Sequence, residues 1–239
     1  ELGRTGALST AVILLVIVVA VACIAVIVFF ERAQRRLLIQ YPKRQVGNRM
    51  FQGDTSHLPL KLNTAGVIPP IFASSLLLLP VTVANFTDTS QLPDWATAVV
   101  ASLGHGQPLY MLFYAGLIAF FAFFYTAVVF NPKDTADNLK KHGGFIPGIR
   151  PGERTAEYID YVLTRITVIG AIYLVLICLL PEFLISAAGV PFYLGGTSLL
   201  IVVSVTMDTV AQIQGHLLAH QYEGLVKKAK LRGGRRGGR

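Results

Sequence analysis

The sequence predicts an all-α polytopic membrane protein with five transmembrane helices, and three observations lead to that prediction. The chain of 239 residues is 53% hydrophobic and only 14% charged, whereas a soluble domain carries about a quarter charged residues. Its apolar residues come in blocks; the first, residues 8–30, holds no charge, and ~20 apolar residues are enough to cross the hydrocarbon core as a helix. Finally, the segments between these blocks are alternately rich in basic residues and free of them.

Five blocks are long and apolar enough to be membrane spans. The first is too long for a signal-peptide core. The second contains Pro69, Pro70 and Pro80, which a membrane helix tolerates where neighbours or water satisfy the freed carbonyl groups. The fourth is short, so its helix is expected to begin earlier, around Tyr158. The predicted spans are about 8–30, 64–86, 109–130, 161–181 and 195–218.

The basic residues predict how these spans are oriented. Residues 31–61 hold seven Lys and Arg, 131–165 hold six and 223–239 hold seven, whereas 87–108 and 182–194 hold none. Because basic loops stay in the cytoplasm, we predict an outer amino end and an inner carboxyl end. The predicted cytoplasmic parts are the loops 31–61 and 131–160 and the basic tail 219–239, whose end from residue 227 is expected to be disordered.

The odd number of spans predicts one half of a larger molecule. Folds built from inverted repeats divide into two odd-numbered halves related by an axis in the membrane plane. No internal repeat is visible in this sequence, and it begins with Glu1 rather than Met. We therefore interpret the chain as a fragment or a processed piece that forms one half of such a pair.

The first cytoplasmic loop is expected to form a long hairpin. RRLLIQY (35–41) and SHLPLKL (56–62) have the composition of two short strands, and the polar segment between them contains proline and glycine to turn the chain. Three basic residues would lie at or near the tip of this hairpin: Lys43, Arg44 and Arg49.

The second cytoplasmic loop contains FIPGIRPGERT (145–155), in which Arg150 lies between two Pro-Gly pairs. Proline fixes φ and glycine supplies a positive φ, so the segment predicts a stiff turn; a short helix is expected before it, near 134–142. Orientation in the membrane and contact with anionic lipid explain scattered Lys and Arg. A cation on a rigid turn instead favours docking to an acidic protein groove or an RNA backbone.

The spans lack the residues of an enzyme or of an ion-coupled transporter. Asp208 is the one carboxylate within a predicted span, and we interpret it as a helix-end hydrogen-bonding residue. No HExxH, GxSxG or Walker pattern occurs, and Cys23 and Cys178 lack metal-site spacing. We predict no catalytic residues, no metal and no cofactor. Half of a small-solute secondary transporter remains the alternative, although it would need a polar site at the midplane.

Two isoleucines follow irregular pairs inside the spans. Ile71 follows Pro69-Pro70, and Ile201 lies shortly after Gly195-Gly196. A helical rise of about 1.5 Å per residue puts each ~10 Å from its nearer membrane face, close to mid-depth. Most isoleucines in membrane helices face lipid or another helix, and this remains the alternative. Leu77, on the same span as Ile71, is expected to face lipid.

Four stretches, in this order, resemble the carboxyl-terminal half of the bacterial SecY family, the central subunit of the Sec protein-translocation channel. The resemblance covers nearly the whole chain and is weakest in the first span, in residues 85–104 and in the final tail. The stretches are AGVIPPIFASSLLLLP (65–80), GQPLYMLFYAGLIAFFAFFYTAVVFNP (106–132), FIPGIRPGERTAEYIDYVLTRIT (145–167) and PFYLGGTSLLIVVSVTMDTVAQIQ (191–214).

The resemblance implies a passive channel of ten helices, built from two five-helix halves. Such a channel moves unfolded secretory polypeptides across, and membrane segments laterally into, the bacterial inner membrane. SecA ATPase or the translating ribosome supplies the energy. This chain would contribute Ile71 and Ile201 to an aliphatic pore ring. One wall of the lateral gate would come from Asn63, Pro69, Pro70, Ile71 and Ser74, with the proline pair marking either a deformable helix or a static kink.

The resemblance also implies partners. SecA or ribosomal RNA would dock on the cytoplasmic loops through Lys43, Arg44, Arg49, Arg150 and Arg154. The other implied partners are the amino-terminal half of SecY, the SecE and SecG subunits, signal-sequence-bearing polypeptides and anionic lipids. The plug, the rest of the pore ring and the other gate wall lie in family spans that this sequence lacks. These 239 residues alone are therefore not expected to form a working channel.

Overall fold

The computed structural model describes residues 10–104, 107–188 and 196–233. Within these residues, five helices are long and apolar enough to cross a membrane, which agrees with the five predicted spans. The elements in order are α1 (Thr10–Arg32), β1 (Gln34–Gln40), β2 (Arg44–Val46), β3 (Arg49–Phe51), β4 (Thr55–Lys61), α2 (Ile68–Phe86), α3 (Asp94–Ser102), α4 (Pro108–Val129), α5 (Pro132–Lys141), α6 (Glu153–Ala188) and α7 (Gly196–Gly233).

The second span begins later than predicted, and its first two prolines have a different role. α2 starts at Ile68 rather than at residue 64, and Pro69 and Pro70 lie in its first turn. Backbone N–H groups in a first turn have no intrahelical acceptor, so proline removes no hydrogen bond there. The pair therefore begins the helix. This corrects the expectation that it marks a deformable or kinked point within the span; Pro80 is the proline inside the helix.

The last two spans continue further than predicted on the side of the basic loops. α6 begins at Glu153 rather than near Tyr158, and α7 continues to Gly233. The helical residues 227–233 correct the prediction of a disordered tail; residues 234–239 lie outside the described part of the chain, as does Gly195. Extending α7 by further turns avoids the unfavourable nucleation step of a new helix. The Lys, Ala and Leu residues of this segment are also good helix formers.

The first loop forms the predicted hairpin. β1 and β4 pair antiparallel from Gln34 with Lys61 to Gln40 with Thr55, and β2 pairs with β3 towards the tip. Gly47 turns the chain there with a φ of 65°, a conformation that glycine adopts without strain. The three basic residues lie at this end as predicted: Lys43 precedes β2, Arg44 begins β2 and Arg49 begins β3.

A hydrophobic core among the spans holds the helices together. α6 contacts α1, α4 and α7, and α2 packs against α4. Ile118, Leu174 and Leu200 are fully buried in this core. Leu77 also belongs to it and is only 7% exposed, so the expectation that it faces lipid is wrong. It lies four residues after buried Ala73, on the side of α2 that packs into the core.

The basic segments share one end of the helix bundle, as the charge alternation predicts. Gln40 of the hairpin pairs with Phe145 of the second loop. Glu31 at the end of α1 and Asp208 of α7 line the same cavity. We call this end of the molecule the basic side. Its assignment to the cytoplasm stays a prediction from the loop charges.

Candidate functional site

A cavity of about 710 Å³ opens on the basic side between the start of α2 and residues 204–214 of α7. One wall carries Glu31, Lys61 and Asn63, and the opposite wall carries Ser204 and Asp208. Charged and polar side chains are costly among membrane helices unless they face protein or water. This cavity therefore has the composition of a hydrated space at one end of the bundle.

Asn63 joins the end of α1 to the turn that precedes α2. Its side chain is 5% exposed. Its amide nitrogen Nδ2 donates to Glu31 Oε1 at 2.8 Å and to the Gly66 carbonyl oxygen at 3.1 Å. A buried amide with two acceptors has few alternative positions. The start of α2 is thus tied to α1 through one side chain.

Gly170 of α6 supports the same turn from the other side. A Cβ atom at this position would collide with the Leu62 carbonyl oxygen and would lie 3.5 Å from Asn63 Cα. The backbone before α2 therefore lies directly on α6, which is possible only because residue 170 has no side chain. Gly170 is not among the residues predicted from the sequence. A small residue inside an apolar span is a signal for close backbone contact in membranes.

Ile71 and Ile201 lie about one helical turn beyond the cavity, on the two helices that form its walls. Ile68 and Ser204 line the cavity, and each isoleucine is three residues from one of them, towards the interior of the bundle. Ile71 is 38% exposed, and Ile201 is half-buried. The predicted depth of Ile71 assumed a helix that begins at residue 64. Because α2 begins at Ile68, Ile71 lies in its first turn, and that estimate of depth no longer applies.

The other residues predicted for the gate occupy the first two turns of α2. Pro69 and Pro70 are fully buried. The Ser74 hydroxyl donates to the carbonyl oxygens of Pro70, at 2.9 Å, and Ile71, at 3.2 Å. This bond back into the preceding turn occupies the hydroxyl of Ser74 within its own helix.

The segment 145–152, which we call the fingertip, forms the tight turns that its two Pro-Gly pairs predict. Gly148 and Gly152 have φ values of 82° and 110°. The Thr155 hydroxyl, 2% exposed, donates to the Arg150 carbonyl oxygen at 2.9 Å, while the Arg150 side chain is exposed. The backbone below this cation is therefore fixed by a buried hydrogen bond.

The hairpin and the fingertip form one structural unit. The Gln40 N–H donates to the Phe145 carbonyl oxygen at 2.9 Å, and the Phe145 N–H donates to the Gln40 carbonyl oxygen at 3.0 Å. A second hydrophobic core lies beneath both segments and includes Leu37 and Leu60 of the hairpin, Ile146 of the fingertip and Ile159 of α6. Lys43, Arg49, Arg150 and Arg154 are exposed on this unit.

Replacing Thr155 with valine is expected to loosen the fingertip while the fold persists. The side-chain volume changes little, but the Arg150 carbonyl loses its hydrogen bond, at a cost of about 1 kcal/mol. Hydrogen exchange of the backbone amides in residues 148–156 should become faster in the intact membrane protein. Thr164→Val is the matched control, because the Thr164 hydroxyl bonds the Asp160 carbonyl within an exposed helical turn. Unchanged exchange in the Thr155 variant would contradict the prediction.

Among the residues that the structure describes, no group of three or more His, Cys, Asp or Glu side chains is placed to hold a metal ion. The cavity between α2 and α7 also differs from the midplane site of a small-solute transporter. It opens at the end of the bundle where the basic loops lie, and its walls include charges of both signs.

The sequence model of the SecY family matches residues 2–210 of the chain. Proteins named protein translocase subunit SecY are similar to nearly all of it. The Rickettsia conorii protein is 56% identical over 232 residues, which cover 97% of this chain and 53% of that protein. The Escherichia coli protein is 55% identical over 233 residues, or 98% of this chain and 53% of that protein. The chain thus spans about half the length of these curated relatives.

Solved structures share the fold. One, described as "The structure of a protein conducting channel", has a TM-score of 0.58 and 19% sequence identity over 83% of this chain and 48% of that one. A second, which concerns the plug domain of the SecY protein, has the same TM-score and 18% identity. The matches to about half of each relative are consistent with a carboxyl-terminal half, and none supports the transporter alternative. The chain belongs to the SecY family and is a multi-pass protein of the bacterial inner membrane.

Proposed function

We propose that this chain supplies one half of a channel that moves unfolded secretory polypeptides across, and membrane segments laterally into, the bacterial inner membrane. Besides the family, one observation carries the proposal. A cavity with charged and polar side chains on its walls opens on the basic side between α2 and α7, and Ile71 and Ile201 lie one turn beyond it on those two helices. In this proposal the cavity is the cytoplasmic vestibule, and the two isoleucines contribute to the constriction below it.

The chemistry of these residues suits a pore for polypeptides. A hydrated vestibule receives a chain that still carries its water, whereas an aliphatic constriction excludes water and ions by dewetting. Isoleucine offers no hydrogen bond to the passing backbone, so it seals without holding the substrate. The plug, the rest of the ring and the second gate wall would come from the amino-terminal half, so this chain alone would not conduct.

α2 would form one wall of the lateral gate, with Pro69, Pro70, Ile71 and Ser74 in its first two turns and Asn63 in the turn before it. Leu76, Leu79 and Val83 follow at helical spacing and are 45%, 59% and 62% exposed. An exposed aliphatic face suits contact with a signal sequence on one side and with lipid on the other. The two supports of the preceding turn, Asn63 and Gly170, would hold this wall at its base.

The fused hairpin and fingertip would be the docking surface for the energy source. Lys43, Arg44, Arg49, Arg150 and Arg154 provide positive charge for the ribosomal RNA backbone or for an acidic surface of SecA ATPase. The chain would have no catalytic activity of its own. Its further partners in this proposal are SecE, SecG, signal-sequence-bearing polypeptides and anionic lipids.

Site-specific crosslinking tests the pore assignment. A photoreactive residue replaces Ile71 or Ile201 in the intact channel, and a secretory protein is stalled midway through export. We expect crosslinks to the stalled chain from both positions. Leu112 of α4, which is 70% exposed, serves as the lipid-facing control, since Leu77 is buried. Export without any crosslink from either isoleucine would overturn the assignment.

A further inference from the structure

One face of α6 carries aromatic, basic and aliphatic residues in order, from the basic side towards the membrane interior. Tyr161, Arg165, Val168, Ile172 and Leu176 are spaced by three or four residues, which aligns them on a helix. All five side chains are exposed. Residues 166–181 carry no charged side chain, so Arg165 lies at one boundary of this apolar segment and Glu182 at the other.

The aliphatic part of this face forms one wall of a groove of about 310 Å³ between α4 and α6. Phe123 of α4 lies opposite, and the small side chains of Ala119 and Ala171 leave room between the two helices. Every residue that lines the groove is apolar. A groove of this composition, open to the hydrocarbon region, suits a hydrocarbon chain.

Arg165 lies on α6 about one turn before Val168, which lines the groove. Its guanidinium carbon is 4.7 Å from the centre of the Tyr161 ring. Such a cation–π contact orients the guanidinium, and its planar fork of N–H donors suits a phosphate group. Tyrosine and arginine at the end of an apolar segment are typical of the headgroup level of a bilayer.

We propose that this groove binds one acyl chain of an anionic phospholipid, whose phosphate contacts the Arg165 guanidinium. A helix of another protein is a poorer occupant, because it would bury Arg165 at a considerable desolvation cost. A phospholipid leaves the guanidinium at the headgroup level and pairs it with a phosphate. The surrounding basic loops favour a lipid with net negative charge over a zwitterionic one. The inference rests on the membrane placement and lipid contact proposed above, not on conduction.

Photolabelling of the intact channel tests this site. The channel is reconstituted in phosphatidylcholine nanodiscs with a trace of phosphatidylglycerol that carries a diazirine on its acyl chain, and labelled residues are mapped by mass spectrometry. We expect label on Phe123, Ile172 or Leu176. Unlabelled phosphatidylglycerol should compete about fivefold better than phosphatidylcholine, and Arg165→Gln should reduce the label about fivefold, as for one cation near an anionic headgroup.

Three variants make the result specific. Arg165→Lys keeps the charge and should retain most of the label. Arg35→Gln removes an exposed positive charge from the hairpin and should change nothing. Ala119→Phe fills the groove and should abolish the label while Arg165 is intact. Equal competition by both lipids, labelling unchanged by Arg165→Gln, or a groove without label overturns the proposal. Because the assay reads only lipid binding, its failure is distinct from a failure to conduct polypeptides.

Discussion

Replacing Gly170 with alanine will destabilise the channel and displace the start of α2. The new Cβ atom would collide with the Leu62 carbonyl oxygen. That oxygen belongs to the backbone and cannot rotate aside as a flexible side chain could. Overpacking of this kind costs about 1–3 kcal/mol. Thermal unfolding of the intact channel in detergent should show a lower midpoint, and crosslinks from a photoreactive residue at Ile71 should change their pattern.

Gly116 of α4 provides the matched control. A Cβ atom there would meet nothing within 4 Å, and alanine is intrinsically favoured over glycine in a helix by up to about 1 kcal/mol. Gly116→Ala should therefore leave the unfolding midpoint unchanged or raise it slightly. If the Gly170 and Gly116 variants unfold alike, the close contact between α6 and the turn before α2 has no energetic consequence.

Replacing Asn63 with alanine should have a comparable effect through lost hydrogen bonds. The Glu31 carboxylate and the Gly66 carbonyl would both lose their donor. A hydrogen bond to a charged group contributes about 1.5–3 kcal/mol. The unfolding free energy should fall by about that amount. Under the proposal that α2 is one wall of the lateral gate, the loss of these bonds should also increase ion leakage through the reconstituted channel.

Thr64→Ala is the control for this prediction, because the Thr64 hydroxyl donates to the Lys61 carbonyl in an exposed turn of the same segment. Exposed bonds of this kind contribute little, so the variant should remain close to the unaltered channel. A loss of stability no larger for Asn63→Ala than for Thr64→Ala would show that the Asn63 bonds do not hold α2.

The features that the sequence predicts correctly are local or periodic. The five spans follow from long uncharged blocks, and the common end of the basic loops follows from their charge alternation. The hairpin and the fingertip follow from turn residues, since proline and glycine dictate backbone angles regardless of their surroundings. The exposed turn that carries Arg150 follows in this way, because the Pro-Gly pairs on either side act on the backbone nearby; the docking role of Arg150 stays a prediction.

The features that the sequence does not predict depend on contacts between distant segments. In a membrane protein, apolar side chains face lipid and protein alike, so the burial of Leu77 has no signature in the sequence. The role of Pro69 and Pro70 depends on where the helix begins, which hydrogen bonding decides. Gly170 has significance only through Leu62, over a hundred residues earlier in the chain, and nothing in either local sequence connects the two.

The pairing of Gln40 with Phe145, together with the hydrophobic core beneath it, joins the hairpin and the fingertip to α6. The hairpin and the fingertip pack on the first turns of this helix through the core around Ile159. Further along the same helix, Gly170 contacts the turn that precedes α2. A force applied at the fingertip would therefore reach the turn before α2, the proposed gate wall, through one continuous helix. The distance between them is short, eighteen residues from Gly152 to Gly170, or about 27 Å of helix. In the proposed channel, a displacement of a partner docked at the fingertip would thus be transmitted to the start of the gate wall.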